Sequence, residues 1–238
     1  MDKKPFGKTP PTKSYYILGK SARFISLKLI PLIDKTKIQP IHLSIVSFAS
    51  ALLSSLFFSF GNAVTNKFAL VFFFTFFIAD HMDGDLARFR GQASLTGEVL
   101  DHVIGKLSLI LIYCGIFCGL SRLHNPVFVW SMAFMIMAGF FGFQSLTTKR
   151  AFMVLKNDIR DHQFDKTKQF TGNDGLLRIL FKELTSGYLM TFYLIILGSL
   201  FDQMIWAIVF SVIYVWFYYI FQIFTSLKYF HHIDHPNQ

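Results

Sequence analysis

Charged residues are scarce in this chain. Asp, Glu, Lys and Arg make up 16% of the 238 residues, whereas apolar residues make up 53% and the mean hydropathy is +0.46. Such a composition is too apolar for a soluble α/β enzyme of this size. The sequence therefore predicts a polytopic membrane protein, and one domain accounts for its length.

Cysteine is nearly absent, and negative charge is in the minority. Cys114 and Cys118 stand four residues apart in one apolar run, so we expect them to pack as small residues. Asp and Glu number 14 against 23 Lys and Arg, which gives a net charge of +9. The basic residues lie mainly between the apolar runs, and this favours a membrane explanation over a nucleic-acid partner.

Six apolar runs predict the fold class, an all-α integral membrane protein with six transmembrane helices. The runs cover about residues 43–60, 68–79 with a continuation into an acidic stretch, 97–120, 126–145, 186–201 and 203–226. Residues 13–35 mix apolar and basic side chains, which predicts an amphipathic helix in the membrane interface with its basic face toward anionic headgroups. The alternative is an ordinary cytosolic helix packed on the domain.

Three segments follow from this pattern. Residues 1–39 form an N-terminal arm and the interfacial helix, residues 40–228 form the six-helix transmembrane domain, and residues 229–238 form a C-terminal tail. Residues 1–12 combine lysines and prolines and are predicted to be a mobile arm. No signal peptide is expected, because the early region lacks a continuous apolar core.

Basic residues also predict the orientation. All but three of the 23 Lys and Arg fall on the side of the membrane where the second and third runs are joined; the exceptions are Lys67, Lys106 and Arg122. The positive-inside rule then places both termini on the cytoplasmic side. We expect a multi-pass protein of the bacterial inner membrane whose acidic cluster faces the cytoplasm.

The carboxylates of that cluster lie where the second and third runs approach each other. Asp80, Asp83, Gly84 and Ala87 stand at i, i+3, i+4 and i+7, so one helical face carries two carboxylates and two very small residues. Small residues let a ligand or a neighbouring helix approach the backbone closely. Asp85 points away from this face and is expected to pair only with Arg88 or Arg90.

A second face of the same kind begins after a short polar loop. Gly97, Glu98, Asp101 and Gly105 lie on it. If the two faces meet, three or four carboxylates converge, and such a group is stable only with cations or protons. Mg²⁺ or Mn²⁺ suits oxygen-only ligands best, and paired ions of this kind commonly serve displacement at phosphorus.

The two faces together resemble a family signature. Residues at fixed spacing carry the resemblance: Asp80-x-x-Asp83-Gly84-x-x-Ala87-Arg88 and, after eight residues, Gly97-x-x-x-Asp101. This pattern is similar to that of the CDP-alcohol phosphotransferases, membrane enzymes of phospholipid biosynthesis that transfer a substituted phosphate from a CDP-linked donor to an alcohol acceptor and release CMP. The resemblance implies a six-helix catalytic domain, often homodimeric.

The resemblance also implies roles for individual residues. Asp80, Asp83 and Asp101 would hold Mg²⁺ or Mn²⁺. Gly84, Ala87 and Gly97 would leave room for cytidine and pyrophosphate. Arg88 would bind a phosphate oxygen or an orienting carboxylate, unless it is an interfacial arginine that only reaches toward the headgroups. The donor would be CDP-diacylglycerol or a CDP-amino alcohol, and the acceptor an alcohol or a lipid.

The end of the motif departs from the family pattern. The family signature continues with a further aspartate, and this chain has Gly105 at that position. In the family this aspartate is implicated both as a metal ligand and as the catalytic base. Gly97-Glu98-x-x-Asp101-His102 is similar to the form found in choline and ethanolamine phosphotransferases, in which the histidine is implicated as the base. Asp101 and His102 are therefore the catalytic candidates, although His102 could instead only hydrogen-bond a neighbouring helix.

Other functions stay open on the sequence alone. The chain could be an impaired family member that binds metal and CDP-lipid as a partner subunit, because Gly105 replaces the last aspartate. It could be an aspartate-rich membrane prenyltransferase, or a transporter whose carboxylates relay protons or cations. Lys149, Arg150 and Arg160 are candidates for binding a phosphorylated acceptor, or they only determine topology.

Overall fold

The computed structural model describes residues 17–156 and 189–234, and every regular element in these ranges is an α-helix. The helices are α1 (Ile17–Asp34), α2 (Pro40–Ser59), α3 (Ala63–Phe89), α4 (Leu95–Ser121), α5 (Pro126–Lys156), α6 (Leu189–Leu200) and α7 (Met204–Asp234). The all-α prediction is confirmed. The predicted mobile arm, Arg160, the start of the fifth run and the end of the tail lie outside the described residues.

Five of these helices are long and apolar enough to cross a membrane: Pro40–Ser59, Ala63–Phe89, Leu95–Ser121, Pro126–Arg150 and Met204–His231. A shorter apolar helix, Met190–Leu200, corresponds to the fifth predicted run. The six-helix prediction is thus confirmed in outline. The helices that carry the acidic residues, α3 and α4, both extend beyond their apolar runs.

Helix caps explain these longer bounds. The Asn62 side chain accepts a hydrogen bond from the Thr65 backbone N–H (2.9 Å), and the Ser94 hydroxyl accepts one from the Gly97 N–H (3.1 Å). Each cap satisfies a backbone donor that the first turn of a helix leaves without a partner. Local polar sequence therefore sets where α3 and α4 begin, whereas hydropathy marks only their apolar portion.

The chain divides into two compact units. The first contains α1 to α4, the start of α5 and the turn Ser199–Asp202; the described part of the second comprises residues 130–156, 189–198 and 203–234. In the second unit, Gly139 and Gly142 of α5 lie against Val215 and Tyr219 of α7. The guanidinium of Arg150 lies over the Tyr229 ring, 4.6 Å from its centroid.

Helix α2 holds the first unit together through a row of small buried residues. The row comprises Ser44, Ser47, Ser50, Ala51 and Ser54. Ser54 Oγ donates to the Ala69 carbonyl oxygen (3.0 Å), and Ser47 Oγ donates to that of Phe76 (3.4 Å), so hydroxyls are satisfied where α2 meets α3. Small residues let helix backbones approach closely in an apolar surrounding. This packing fixes α3 relative to α2.

Helix α4 is fixed to α2 at the end that lies away from the acidic residues. Side chains at Gly115 and Gly119 would collide with the backbone of Ser55 and Phe58. Ser55 Oγ donates to the Leu111 carbonyl oxygen at 2.6 Å. Close backbone approach therefore anchors the second half of α4, and its first turns project beside the end of α3.

Helix α1 precedes the first span, as predicted, and packs on α3. It buries Ala22, Ser26 and Ile30, whereas Phe24 and Leu32 are about 60% exposed. The contact with α3 agrees with the alternative of a helix packed on the domain, and the exposed apolar residues are compatible with a membrane surface. The interfacial location itself stays a prediction.

Candidate functional site

The last turns of α3 and the first turns of α4 bring three carboxylates together. Asp101 and Asp83 both repel the charge of Asp80, and Asp101 also repels that of Asp83. These residues come from two helices joined by the short connection at residues 90–94. Carboxylates that repel one another in a partly buried place attract protons or cations. The two acidic faces are therefore near enough for their charges to repel one another.

Asp83 is the most firmly oriented of the three. It is buried, and its two oxygens accept hydrogen bonds from Ser44 Oγ of α2 and from the Gly84 backbone N–H. Both donors are uncharged, so they orient the carboxylate without neutralising it. The sequence analysis did not single out Ser44. The signal was the row of serines spaced along one face of α2, on which Ser44 is the first.

Asp80 and Asp101 have no such support. Both are half-buried, and neither accepts a hydrogen bond nor forms an ion pair within residues 17–156 and 189–234. A charge that is partly withdrawn from water normally has a partner in the protein. These two carboxylates are thus the groups of the cluster that remain available to a ligand.

Gly105 lies directly beside Asp80. A Cβ atom at position 105 would stand 3.6 Å from Asp80 Oδ1, and no other atom outside its immediate neighbourhood comes within 4 Å. That distance is an ordinary van der Waals contact, so a Cβ atom would fit here without displacing Asp80. The position at which the family signature has its last aspartate therefore adjoins Asp80 of the carboxylate cluster.

Arg88 folds back over its own helix. Its Nη2 donates to Asp85 Oδ1 at 2.7 Å, and a Cβ atom on Gly84 would stand 3.2 Å from the same nitrogen. A side chain at position 84 would crowd the guanidinium of Arg88. The small size of Gly84 therefore makes room for Arg88, in addition to any room that it leaves for a ligand. The expected pairing of Asp85 with an arginine is found, and Arg88 has an orienting carboxylate.

Asp85 also binds helix α1. Ser26 Oγ donates to Asp85 Oδ2 at 2.9 Å, and Arg23 Nη2 donates to Oδ1 at 3.1 Å. Arg90, the other arginine considered for Asp85, instead donates to Asp34 Oδ1 at 2.9 Å. Sequence reasoning missed Arg23 and Ser26. Their only signal was a polar pair three residues apart on the otherwise apolar and basic α1.

The remaining predicted residues are half-buried or exposed. Gly97 stands in the capped first turn of α4, Ala87 is half-buried on α3, and Glu98 and His102 are exposed on α4. His102 has no hydrogen-bond partner in the described part of the chain. His102 follows Asp101 in the sequence and is exposed on α4. Its role as the base stays a prediction.

The donor chemistry of the cluster fits a divalent cation. Three carboxylates supply only oxygen, and two of them lack any protein partner among the described residues, as expected of ligands for Mg²⁺ or Mn²⁺. In those same ranges, however, no three side chains of His, Cys, Asp or Glu are placed so that they would hold a metal ion. The set of ligands Asp80, Asp83 and Asp101 therefore stays a prediction supported by its chemistry.

Comparison with known proteins gives one result for this region. The family model described as CDP-alcohol phosphatidyltransferase matches residues 39–224, which include all of α2, α3 and α4 and the entire carboxylate cluster. No curated protein matches the chain. Helix α1 precedes the matched residues, although it contacts the site through Asp85.

Proposed function

The chain belongs to the CDP-alcohol phosphatidyltransferase family, transferases of phospholipid synthesis, and we propose that it transfers a substituted phosphate from a CDP-linked donor to an alcohol acceptor. The products are CMP and the new phosphodiester. The donor is CDP-diacylglycerol or a CDP-amino alcohol, and the acceptor is an alcohol or a lipid hydroxyl. The family relationship carries the type of reaction, and the cluster on α3 and α4 supports the place where it occurs.

One observation carries the assignment of the site. Asp80 and Asp101 come from different helices, repel each other and have no hydrogen-bond or ion-pair partner among the described residues. Asp85 has both kinds of partner, as a carboxylate with a structural role requires, whereas Asp101 is only attracted by Arg88 without a direct contact. Two carboxylates left in this state at the end of a helix pair are best explained as ligands for a cation that arrives with the substrate.

Enzymes of this family generally depend on a divalent metal. Asp80, Asp83 and Asp101 would hold Mg²⁺ or Mn²⁺, which when bound would offset negative charge on the donor pyrophosphate. Asp83 is already oriented for this role by Ser44 and Gly84. Ala87 and Gly97 leave space beside the cluster for the nucleotide, and Arg88 presents its guanidinium at the same end of α3.

The acceptor must lose a proton as its oxygen displaces CMP from phosphorus. We assign this proton to His102, the histidine of the motif, with Asp101 next to it in sequence. The exposed position of His102 suits a base that meets an acceptor from outside the bundle. Gly105 cannot take a proton, although it lies beside Asp80 where the family signature has an aspartate.

An impaired family member is the second candidate. It is favoured by Gly105, which stands where the family signature has its last aspartate. Such a protein would bind CDP-lipid and metal as a partner subunit and would release no CMP. A Cβ atom at position 105 would meet only Asp80 Oδ1, at 3.6 Å, so Gly105→Asp adds a fourth carboxylate beside Asp80 and distinguishes the two candidates.

The cellular setting follows from the same proposal. A cytoplasmic orientation of the carboxylate cluster would give it access to soluble CDP compounds, and the distribution of Lys and Arg supports this orientation. A homodimer in the bacterial inner membrane would be in keeping with the family. A reporter fused after Gln238 that is found outside the cytoplasm would contradict the orientation.

The experiment is CMP release by the purified protein in detergent. CDP-diacylglycerol, CDP-choline and CDP-ethanolamine are compared across a panel of acceptors, with Mg²⁺, with Mn²⁺ and with a chelator, and Asp83→Ala serves as the inactive control. Metal-dependent release that disappears in the control is the expected result. No release from any donor, followed by release from Gly105→Asp, would favour the impaired family member.

A further inference from the structure

We propose that Arg23 of helix α1 is a positioning residue for Arg88, through the Asp85 carboxylate that both arginines share, so that one edge of Arg88 stays free for the phosphate of the donor. This inference rests on the proposed function. It concerns a helix that lies outside the residues matched by the family model, 39–224.

The contacts around Asp85 are specific. Oδ1 accepts from Arg88 Nη2 at 2.7 Å and from Arg23 Nη2 at 3.1 Å, and Oδ2 accepts from Ser26 Oγ at 2.9 Å. The Asp85 side chain is 3% exposed and that of Arg23 is 16% exposed, whereas that of Arg88 is 41% exposed. The carboxylate is thus buried between α1 and α3, and only Arg88 extends from it to the surface.

Sharing limits how Arg88 can bind Asp85. A guanidinium and a carboxylate alone commonly form two parallel hydrogen bonds, which would occupy both terminal nitrogens of the arginine. Here Ser26 occupies Oδ2 and Arg23 shares Oδ1, so Arg88 is held through Nη2. Its Nη1 lies over the small Gly84 residue, 3.3 Å from where a Cβ atom would be.

The charges support the same conclusion. Asp85 alone could balance only one of the two arginines, so the group Arg23, Asp85 and Arg88 carries one net positive charge. Arg88 attracts both Asp83 and Asp101, which places this positive charge beside the carboxylate cluster. An arginine that is oriented by one nitrogen and open at the other is suited to a phosphate oxygen at that location.

The test compares variants on the same helix. Arg23→Gln removes the charge and weakens the contact, Arg23→Lys keeps the charge, and Lys28→Gln is the matched control. Lys28 is an exposed residue of α1 whose ammonium lies over the Phe24 ring, away from Asp85. Each protein is assayed for KM of the CDP-linked donor, for kcat and for melting temperature with and without CDP.

We expect Arg23→Gln to raise the donor KM about tenfold with a smaller change in kcat. Without Arg23, Arg88 can turn both terminal nitrogens toward Asp85, so its charge-assisted contact with the donor phosphate is lost. Arg23→Lys should recover most of this loss, and Lys28→Gln should match the wild type. If the wild type releases CMP and Arg23→Gln has the same KM and kcat as Lys28→Gln, the positioning role is overturned and the proposed function is left intact.

A structural role for Arg23 is separated by the split between KM and kcat. If Arg23→Gln lowers the melting temperature, every variant is assayed at a temperature at which it is fully folded, where Asp85 still has Arg88 as its cation. Positioning predicts that the donor KM stays raised while kcat is nearly retained; a lower kcat at unchanged KM, as a loss of folded protein would give, would overturn it. A wild type that neither releases CMP nor gains melting temperature with CDP would instead refute the proposed function, and the inference with it.

Discussion

Asp80 and Asp85 are five residues apart on the same helix, yet their surroundings differ completely. Asp85 accepts hydrogen bonds from Arg23, Ser26 and Arg88, so its charge is balanced by the protein. Asp80 has no donor in the described residues and faces the charge of Asp101. Residue type and helix position are alike, so the difference lies in the partners: one carboxylate is used to hold helices together and the other is left for a ligand.

Asp83 lies between these extremes. Ser44 and the Gly84 backbone orient it, but no cation pairs with it among the described residues. Orientation without neutralisation is the arrangement that a metal ligand requires, since hydrogen bonds to a ligating carboxylate fix its direction. The comparison therefore separates three aspartates assigned to function, Asp80, Asp83 and Asp101, from one structural aspartate, Asp85. Each of the following changes tests that separation.

Asp101→Asn should have the largest effect. We expect CMP release to fall about 10³-fold, because one of the groups that hold charge at the reacting centre is lost. Melting temperature should not fall, since the substitution keeps the shape of the side chain and removes repulsion from Asp80 and Asp83. A stable variant with wild-type turnover would show that Asp101 is not one of the functional aspartates.

His102→Gln tests the residue after Asp101. The loss of a general base should lower kcat about 10²-fold, with little change in stability because the side chain is exposed. Turnover is measured as CMP release at saturating donor and acceptor. His124→Gln serves as the control, because His124 is also exposed and lies after the opposite end of α4. Near-normal turnover of His102→Gln would leave the base unassigned.

Ser44→Ala asks whether orientation of Asp83 matters. One hydrogen bond to a buried carboxylate is lost, so we expect about a tenfold decrease in metal-dependent CMP release. Ser44→Thr keeps the hydroxyl and is the matched variant that should retain activity. If both variants behave alike, the hydroxyl of Ser44 has no part in positioning Asp83.

Arg90→Lys should have the smallest effect and act on stability alone. Arg90 donates to the Asp34 carboxylate and to the carbonyl oxygens of Ile33, Thr36 and Ile38, which ties α3 to the end of α1. Lysine cannot reproduce this fork, and we expect a loss of about 1 kcal/mol in the free energy of unfolding. A thermal melt measures it, and CMP release at saturating donor should be retained; a tenfold loss would place Arg90 in the site.

The part of the site that the sequence predicted is the part that depends on local spacing. Asp80 and Asp83 share a face of α3 because three residues make nearly one helical turn. The contacts that the sequence did not predict join residues far apart in the chain: Arg23 and Asp85 are separated by 62 positions, and Ser44 and Asp83 by 39. Such pairs are fixed by how α1 and α2 pack on α3, which periodicity does not encode.

The fold shows the same division. Apolar runs predicted the helices, while Asn62 and Ser94 extended α3 and α4 beyond those runs through capping hydrogen bonds. The close approach of α4 to α2 at Gly115 and Gly119 depends on backbone contacts with residues about 60 positions earlier in the chain. Those contacts bring the first turns of α4 beside the carboxylates of α3.

The most direct measurement compares Asp80→Asn with Asp85→Ala, each assayed for metal-dependent CMP release and for melting temperature in one detergent. We predict that Asp80→Asn loses release and keeps or gains stability, because a repelled carboxylate is removed. Asp85→Ala should lose about 3 kcal/mol of stability, because Arg23 is then left buried without this partner. If Asp80→Asn unfolds the protein, or if it releases CMP as the wild type does, the division between functional and structural aspartates is wrong.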